Sequence, residues 1–208
     1  MIVTLTANPS IDVTLDVPTF TIDEVNRASD KSKDPAGKGI NVSRALSKNG
    51  VATVAVFPAD SINGAWIDGK LAEISVNTIT SPIANEIRQN ITIVDDQGHT
   101  TKINEVGPVI SEHERELLTS EIESVLASKP TWLVMGGSLP RGLDGSYYVE
   151  LAERAHAHGV HVAIDTSGEA LRTVAHAGVA DLLKPNHEEL EELAGRPLPT
   201  VEDVTDYA

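Results

Sequence analysis

Lys38 stands between two glycines in Pro35-Ala36-Gly37-Lys38-Gly39-Ile40-Asn41-Val42, at the start of a stretch that reads as a helix running to Lys48. Glycine lets backbone N–H groups come close to a ligand, and a helix N-terminus with a lysine beside it suits an anion. The run is not a Walker A loop, which would need glycine where Ser32 stands and serine or threonine where Gly39 stands. A plain glycine turn entering a helix has the same composition. Asp12 closes Asn8-Pro9-Ser10-Ile11-Asp12 directly after the first apolar run. That places it just beyond a strand's carboxyl end, where open α/β sheets bind ligands and where a carboxylate can accept from two vicinal sugar hydroxyls. An Asx turn accounts for it equally well. Arg88 opens Arg88-Gln89-Asn90, and an arginine at the edge of a flap suits bidentate capture of a phosphate. Alone, it is also what a solvated strand arginine looks like.

Two further motifs follow apolar runs. Gly136-Gly137-Ser138-Leu139-Pro140-Arg141-Gly142 comes after Trp132–Met135, leaving room for a ligand or merely turning the chain. Asp165 holds the equivalent place after Val160–Ile164. In Lys184-Pro185-Asn186-His187-Glu188-Glu189, Asn186 reads as a helix N-cap. Glu189, three residues on, either completes a capping box or turns a hard oxygen ligand toward magnesium. Scattered turn chemistry would not readily put four ligand-suited motifs after successive predicted strands, so the clustering argues for one site.

The elements that must position these residues are legible as short β-branched runs alternating with amphipathic stretches. Ile2–Thr6, Val51–Phe57, Trp132–Met135, Val160–Ile164 and Ala180–Leu183 are continuous apolar segments of the kind that helices cover on both faces in a parallel sheet. Ser111-Glu112-His113-Glu114 is a capping-box pattern ahead of Leu117, Leu118, Ile122 and Val125, with Pro130 beyond. Gly50, Gly159 and Gly178 fall where helices should end. Strand and helix in repetition predict a doubly wound, mostly parallel α/β sheet with right-handed crossovers. Residues 13–35 and 86–105 break the rhythm. The second reads as a hairpin, Asn90–Val94 and Thr100–Asn104 around Asp95-Asp96-Gln97-Gly98, and together they predict a small antiparallel flap, a lid or a dimer surface.

The 208 residues can bury a substantial core, and one domain is the default. The net charge of −15 repels phosphate backbones and anionic lipid, so nucleic acid and membrane are excluded as partners. An acidic protein that binds anionic metabolites must gather its few cations in a cleft, which singles out Lys38 and Arg88. The absence of cysteine removes disulfides, thiolate metal sites and a cysteine nucleophile. No leader-like N-terminus or spanning apolar window is present, and a cytoplasmic protein is expected.

Taken in order, Thr4–Asp12, Gly37–Val42, Arg88–Asn90, Asn104-Glu105-Val106-Gly107-Pro108, Gly137–Pro140, Asp165-Thr166-Ser167-Gly168-Glu169-Ala170-Leu171 and Lys184–Asn186 resemble the ribokinase-like PfkB carbohydrate kinases. Within them they are most similar to the 1-phosphofructokinase and tagatose-6-phosphate kinase branch. The resemblance implies one α/β domain with a β lid, often a homodimer through that lid. It implies that Asp12, Gly37, Gly39 and Asn41 hold sugar hydroxyls, that Lys38, Arg88 and Arg27 hold the phosphate already on the substrate, and that Asn90 and Ser138 complete the pocket. Lys184, Asn186, Glu189 and Asp165 would serve ATP, with Glu189 toward Mg2+. The reaction implied is a second phosphorylation of a ketohexose monophosphate, fructose 1-phosphate first, with tagatose 6-phosphate or fructose 6-phosphate as alternatives. The Asp34-Pro35-Ala36 that precedes Gly37 stands where many relatives carry a double glycine.

The family's Gly-Ala-Gly-Asp stretch, its anion hole and catalytic aspartate, has no counterpart in residues 1–208. The resemblance therefore puts the catalytic base beyond Ala208 and assigns no catalytic residue within the chain. Phosphoryl transfer depends on positioning and on stabilising the equatorial oxygens. The expectation is an incomplete kinase domain that stops at Ala208, about two turns into a capped helix beginning at Thr200, lacks its C-terminal part and is inactive by itself. A non-catalytic sugar-phosphate-binding module is the alternative from another class. A kinase of ribose or nucleosides is disfavoured, because Lys38 and Arg88 together suggest an acceptor that already carries a phosphate.

Overall fold

The computed structural model describes residues 1–207. Ala208, the residue beyond which the catalytic aspartate is expected, lies outside the described residues. Along the chain run β1 (Ile2–Leu5), β2 (Ser10–Val17), β3 (Asp30–Ala36), α1 (Lys38–Lys48), β4 (Thr53–Ala59), α2 (Asn63–Glu73), β5 (Asn77–Pro82), β6 (Arg88–Asp95) and β7 (Thr100–Asn104). There follow α3 (Glu112–Leu126), β8 (Trp132–Gly136), α4 (Gly145–Ala157), β9 (His161–Asp165), α5 (Gly168–Ala177), β10 (Leu182–Leu183), α6 (His187–Ala194) and α7 (Val201–Tyr207).

Six strands form the main sheet in the order β10-β9-β8-β1-β4-β5, and every neighbouring pair is parallel. Successive side chains of a strand point to opposite faces, and both faces here are covered. Val3, Leu5, Val56, Leu133, Met135, Val162 and Ile164 pack against α3, α4 and α5, while Ala55 and Phe57 pack against Ile40 of α1 and Ile67 and Leu71 of α2. All five anticipated strands are present, but the last, expected as a buried run Ala180–Leu183, is only the two-residue edge strand Leu182–Leu183, with Leu182 55% exposed. The edge strand β5 was not anticipated: Asn77-Thr78-Ile79-Thr80-Ser81-Pro82 buries little, pairs on one side only, and so carries no continuous apolar run.

A buried polar seam sets α1 on the sheet. The Thr4 and Ser43 hydroxyls lie 2.8 Å apart, Ser43 lies 2.8 Å from the Thr53 hydroxyl, and the Ile40 N–H donates to Thr6 Oγ1 at 2.8 Å. A satisfied buried hydrogen bond contributes about 1 kcal/mol, and one left unmade costs more. The glycines around Lys38 serve the same close docking. At Gly37 (φ 127°) a Cβ would run into the Thr6 methyl group, and at Gly39 it would fall 2.5 Å from the Leu5 carbonyl oxygen.

The second sheet, of order β3-β2-β6-β7, is the expected flap with one correction. Its hairpins β2/β3 and β6/β7 are antiparallel, but β2 and β6 pair in parallel from Ser10↔Arg88 to Val17↔Asp95, so the sheet is mixed rather than antiparallel. Both hairpins start outward from the main sheet, so their first strands lie side by side in one direction. At the far turn Asp95 Oδ1 accepts from the Gln97 and His99 N–H groups at 3.0 and 2.9 Å.

Helix ends follow local chemistry. Ser111 and Glu114 form the capping box of α3, Asn186 and Glu189 that of α6, and Thr200 caps α7 against Asp203. Gly178 ends α5 with φ 63°. Among the described residues no helix is long and apolar enough to cross a membrane.

Candidate functional site

β1 lies between β4 and β8, so the connections leaving the carboxyl ends of β1 and β8 diverge there. Such a switch point is where open α/β sheets bind ligands. Asn8 bridges the two loops, its Nδ2 donating to Ser138 Oγ and to the Val106 carbonyl, each at 3.2 Å. The loop after β8 is fixed from behind. Gly137 N–H donates to the Asp165 carbonyl at 2.9 Å, and its own carbonyl accepts from the Tyr148 hydroxyl at 3.2 Å and the Thr166 hydroxyl at 3.0 Å. Complete burial pushes the Tyr148 phenol far up, so it stays a proton donor. A Cβ on Gly136 would lie 2.9 Å from Lys38 Cβ, so this glycine lets the β8 loop lean on the start of α1.

The base of the lid supplies the polar groups. Asp12 is the third residue of β2 rather than part of the loop after β1, and it faces Asn90 across the parallel pair. Its Oδ1 accepts from Asn90 Nδ2 at 2.9 Å and from Ser10 Oγ at 3.1 Å, and Asn90 Nδ2 also reaches Ser10 Oγ at 3.0 Å. Arg88 donates from Nη1 to the Glu105 carbonyl at 3.1 Å and from Nη2 to the Asn8 carbonyl at 3.3 Å. Burial lowers the Arg88 pKa, against the opposing attraction of Asp12 and Glu105. Of five buried side-chain polar atoms without a partner among the described residues, three are here: Asn8 Oδ1, Arg88 Nε and Asn90 Oδ1. Buried polar atoms are nearly always paired, so three unpaired ones together make this the least satisfied polar cluster among the described residues.

Lys38 does not join Arg88. Its Nζ donates to Asp165 Oδ1 at 2.7 Å and comes within 4.0 Å of Glu189 Oε1, while Lys184 Nζ lies 3.2 Å from Asp165 Oδ2. The expected two-cation clamp is thus divided: the lid arginine is held by carbonyls and the helix lysine by an aspartate. Glu189 also completes the capping box, its Oε2 accepting from Asn186 N–H at 2.8 Å, which leaves Oε1 toward Lys38. The cap therefore uses one carboxylate oxygen and leaves the other available to a ligand. Among the described residues no three acidic or histidine side chains gather as a metal cage.

Two expected residues stand apart. Asn41 is exposed on α1 and meets Arg44 Nη1 at 3.5 Å. Arg27 lies in the β2–β3 connection, beyond the Asp16↔Asp30 end of the hairpin, while Ser10↔Ala36 is the end at the site. At 3.3 Å per residue that separates Arg27 from the cluster by roughly 20 Å within one chain. Arg141, quoted in its loop but given no role, does arrive. With Arg88, Glu86 and Glu105 it lines a cavity of about 460 Å³, its Nη2 donating to the Gly107 carbonyl at 3.1 Å.

Residues 3–208 match the family described as pfkB family carbohydrate kinase. The chain belongs to that family. Across all of its length this pfkB chain is 35% identical to 1-phosphofructokinase of Bacillus subtilis, spanning 67% of that protein, and across 93% of its length it is 35% identical to tagatose-6-phosphate kinase of Staphylococcus epidermidis, spanning 62% of it. Phosphofructokinase-2 of Escherichia coli in complex with fructose-6-phosphate superposes with a TM-score of 0.91 at 30% identity, covering all of this chain and 68% of that one. The same enzyme has also been solved in a tetrameric inhibited form. The PfkB likeness drawn from motifs is thereby confirmed, and so is the ribokinase-like fold of the two sheets.

Proposed function

We propose that this pfkB chain forms the sugar-phosphate half, and part of the nucleotide half, of a cytoplasmic kinase that phosphorylates a ketohexose monophosphate with ATP. Fructose 1-phosphate, giving fructose 1,6-bisphosphate, is the preferred acceptor. The convergence of Asp12, Asn90, Asn8 and Arg88 at the base of the lid, with Arg88 and Arg141 lining one cavity, carries this reading. Asp12 and Asn90 would hold vicinal hydroxyls, Ser138 and Asn8 the next polar group, and Arg88, joined by Arg141, the phosphate already present. Gly37 and Gly39 would leave the first N–H groups of α1 facing the site, since these have no intrahelical acceptor. Asn41 is the weakest member, because its side chain is engaged with Arg44.

Lys38, Asp165, Lys184, Asn186 and Glu189 would serve the nucleotide. Magnesium bound with ATP would neutralise charge on the transferring phosphoryl group, with Glu189 as its carboxylate. In this reading the acceptor hydroxyl loses its proton to the aspartate of a Gly-Ala-Gly-Asp segment beyond Ala208, which residues 1–208 do not contain, so the 208-residue chain binds without turning over. Arg27 would act only from the lid of a second copy, as a lid-mediated homodimer would allow.

Calorimetry tests this. Fructose 1-phosphate should bind the 208-residue chain saturably and more tightly than fructose; equal affinity for both would remove the phosphate subsite. Titrations with tagatose 6-phosphate and fructose 6-phosphate rank the alternatives. A non-catalytic binding module predicts the same binding, but no turnover even in a chain extended to include the missing segment.

A further inference from the structure

The five residues that join the main sheet to the lid, Ile83 to Ile87, are fastened through the backbone of Ile83, Ala84 and Ile87 and the side chain of Asn85. Ile83 N–H donates to the Ala59 carbonyl at 3.1 Å, and Ala84 N–H donates to the buried Glu114 Oε1 at 2.7 Å. Asn85 Nδ2 donates to the Val109 carbonyl at 3.0 Å. Ile87, only 2% exposed, is held on both sides of its backbone. Its N–H donates to Asp60 Oδ2 at 2.9 Å, and its carbonyl accepts from Asn63 Nδ2 at 2.9 Å. The next residue is Arg88.

Asp60 is 6% exposed and also receives the Ile62, Asn63 and Gly64 N–H groups of the start of α2, at 2.7, 2.8 and 3.3 Å. Four N–H donors outweigh the burial that would raise its pKa, and it stays below the usual carboxylate range. A helix start needs only some of this. Capping uses donors from the first turn, whereas the bond to Ile87 spans 27 positions and adds nothing to the helix.

We infer that Asp60, with Asn63, is a positioning residue for Arg88: it ties the peptide preceding the arginine to the rigid end of β4 and α2, so that the guanidinium faces a sugar phosphate already oriented. This deepens the proposed function and rests on it for the identity of the anion. The gain is entropic, since a preorganised group loses less freedom when ligand arrives. Asp60→Asn tests it sharply. If the amide keeps its oxygen on the α2 cap, its NH2 group meets the Ile87 N–H, donor against donor. Asn63→Ala removes the second tie but leaves the Asp60 cap, and serves should Asp60→Asn not fold.

Two measurements on the 208-residue chain decide. In hydrogen–deuterium exchange, the amides of Ile87 and Arg88 should be protected in the wild type and exchange at least tenfold faster in Asp60→Asn, with β8 and α4 unchanged. Fast exchange at Ile87 in the wild type would overturn the inference whether or not any sugar phosphate binds. In calorimetry, each variant should weaken fructose 1-phosphate on the order of tenfold, the worth of about one charge-assisted hydrogen bond, and leave fructose unchanged. Equal weakening of both sugars would reduce Asp60 to a folding role, and no weakening would sink the positioning role. Failure of the wild type to bind fructose 1-phosphate would instead count against the proposed function, leaving the exchange result to judge the tie.

Discussion

Arg88 and Lys38, cations of the two halves of the site, are held in opposite ways. Arg88 bonds to main-chain carbonyls and grows from a segment whose own peptides are fastened by the buried carboxylates of Asp60 and Glu114. Lys38 bonds to the side chain of Asp165, which it shares with Lys184, and the two lysine side chains are 42% and 64% exposed. Two main-chain carbonyls, one exposed and one part-buried, hold the guanidinium, and the segment behind it is itself fastened, so the arginine's geometry is set before ligand arrives. Half-exposed ion pairs are worth little and exchange readily, so under the proposed function the lysines would leave Asp165 for a nucleotide phosphate. One half of the site is preformed and the other is exchangeable.

The difference can be broken, most severely at the preformed half. Arg88→Ala should weaken fructose 1-phosphate roughly a hundredfold, since it removes a charged, partly desolvated anchor, and leave nucleotide affinity unchanged; calorimetry showing equal losses would dissolve the distinction. Gly39→Ala should destabilise the chain by about 2 kcal/mol, because its methyl group overpacks against the Leu5 carbonyl, lowering Tm by several degrees in a thermal melt.

Acid separates the halves by a different route. Burial works to raise the Asp60 and Glu114 pKa values, yet hydrogen bonds hold both carboxyls below their ordinary range. They bind protons less readily folded than unfolded, so their stabilisation is present above an unfolded pKa of about 4 and fades as pH falls through the lower folded values. Exchange at Ile83 to Ile87 should therefore accelerate, relative to intrinsic rates, on going from about pH 5 to pH 2. Asp181, held to about 2 chiefly by the Val162 N–H and His156, adds to the same loss elsewhere. The smallest effect is expected of Asp165→Asn: a stability change under about 1 kcal/mol, with nucleotide affinity altered severalfold and sugar-phosphate affinity not at all. A larger fall in Tm would show that the Lys38–Asp165 pair is structural.

Much of the fold was legible because burial on both faces leaves a mark on composition. Val51–Phe57 and Val160–Ile164 read as strands since apolar residues dominate them, Thr53 and His161 being the exceptions, whereas β5 carries no such run because an edge strand needs little apolar surface. Capping boxes at Ser111 and Asn186 were legible for a local reason, namely that both partners lie within one turn. The site motifs were found as separate segments, and Asp12, Arg88, Asn90 and Ser138 do converge with Asn8. Asp60-Ser61-Ile62-Asn63 reads as a polar loop, and an aspartate just ahead of a helix start is the one signal it carries.

The sequence by itself determined the elements and the family, because periodicity, capping and glycine motifs are short-range and survive without a partner in view. Only the tertiary structure decided which residues face each other. Lys38 meets Asp165 across 127 positions and Asn8 meets Ser138 across 130, distances over which no local rule operates. The same holds for the parallel pairing of β2 with β6 and for the tie from Asp60 to Ile87. In each case the partner was chosen by where packing on the two faces of one sheet brought the backbone.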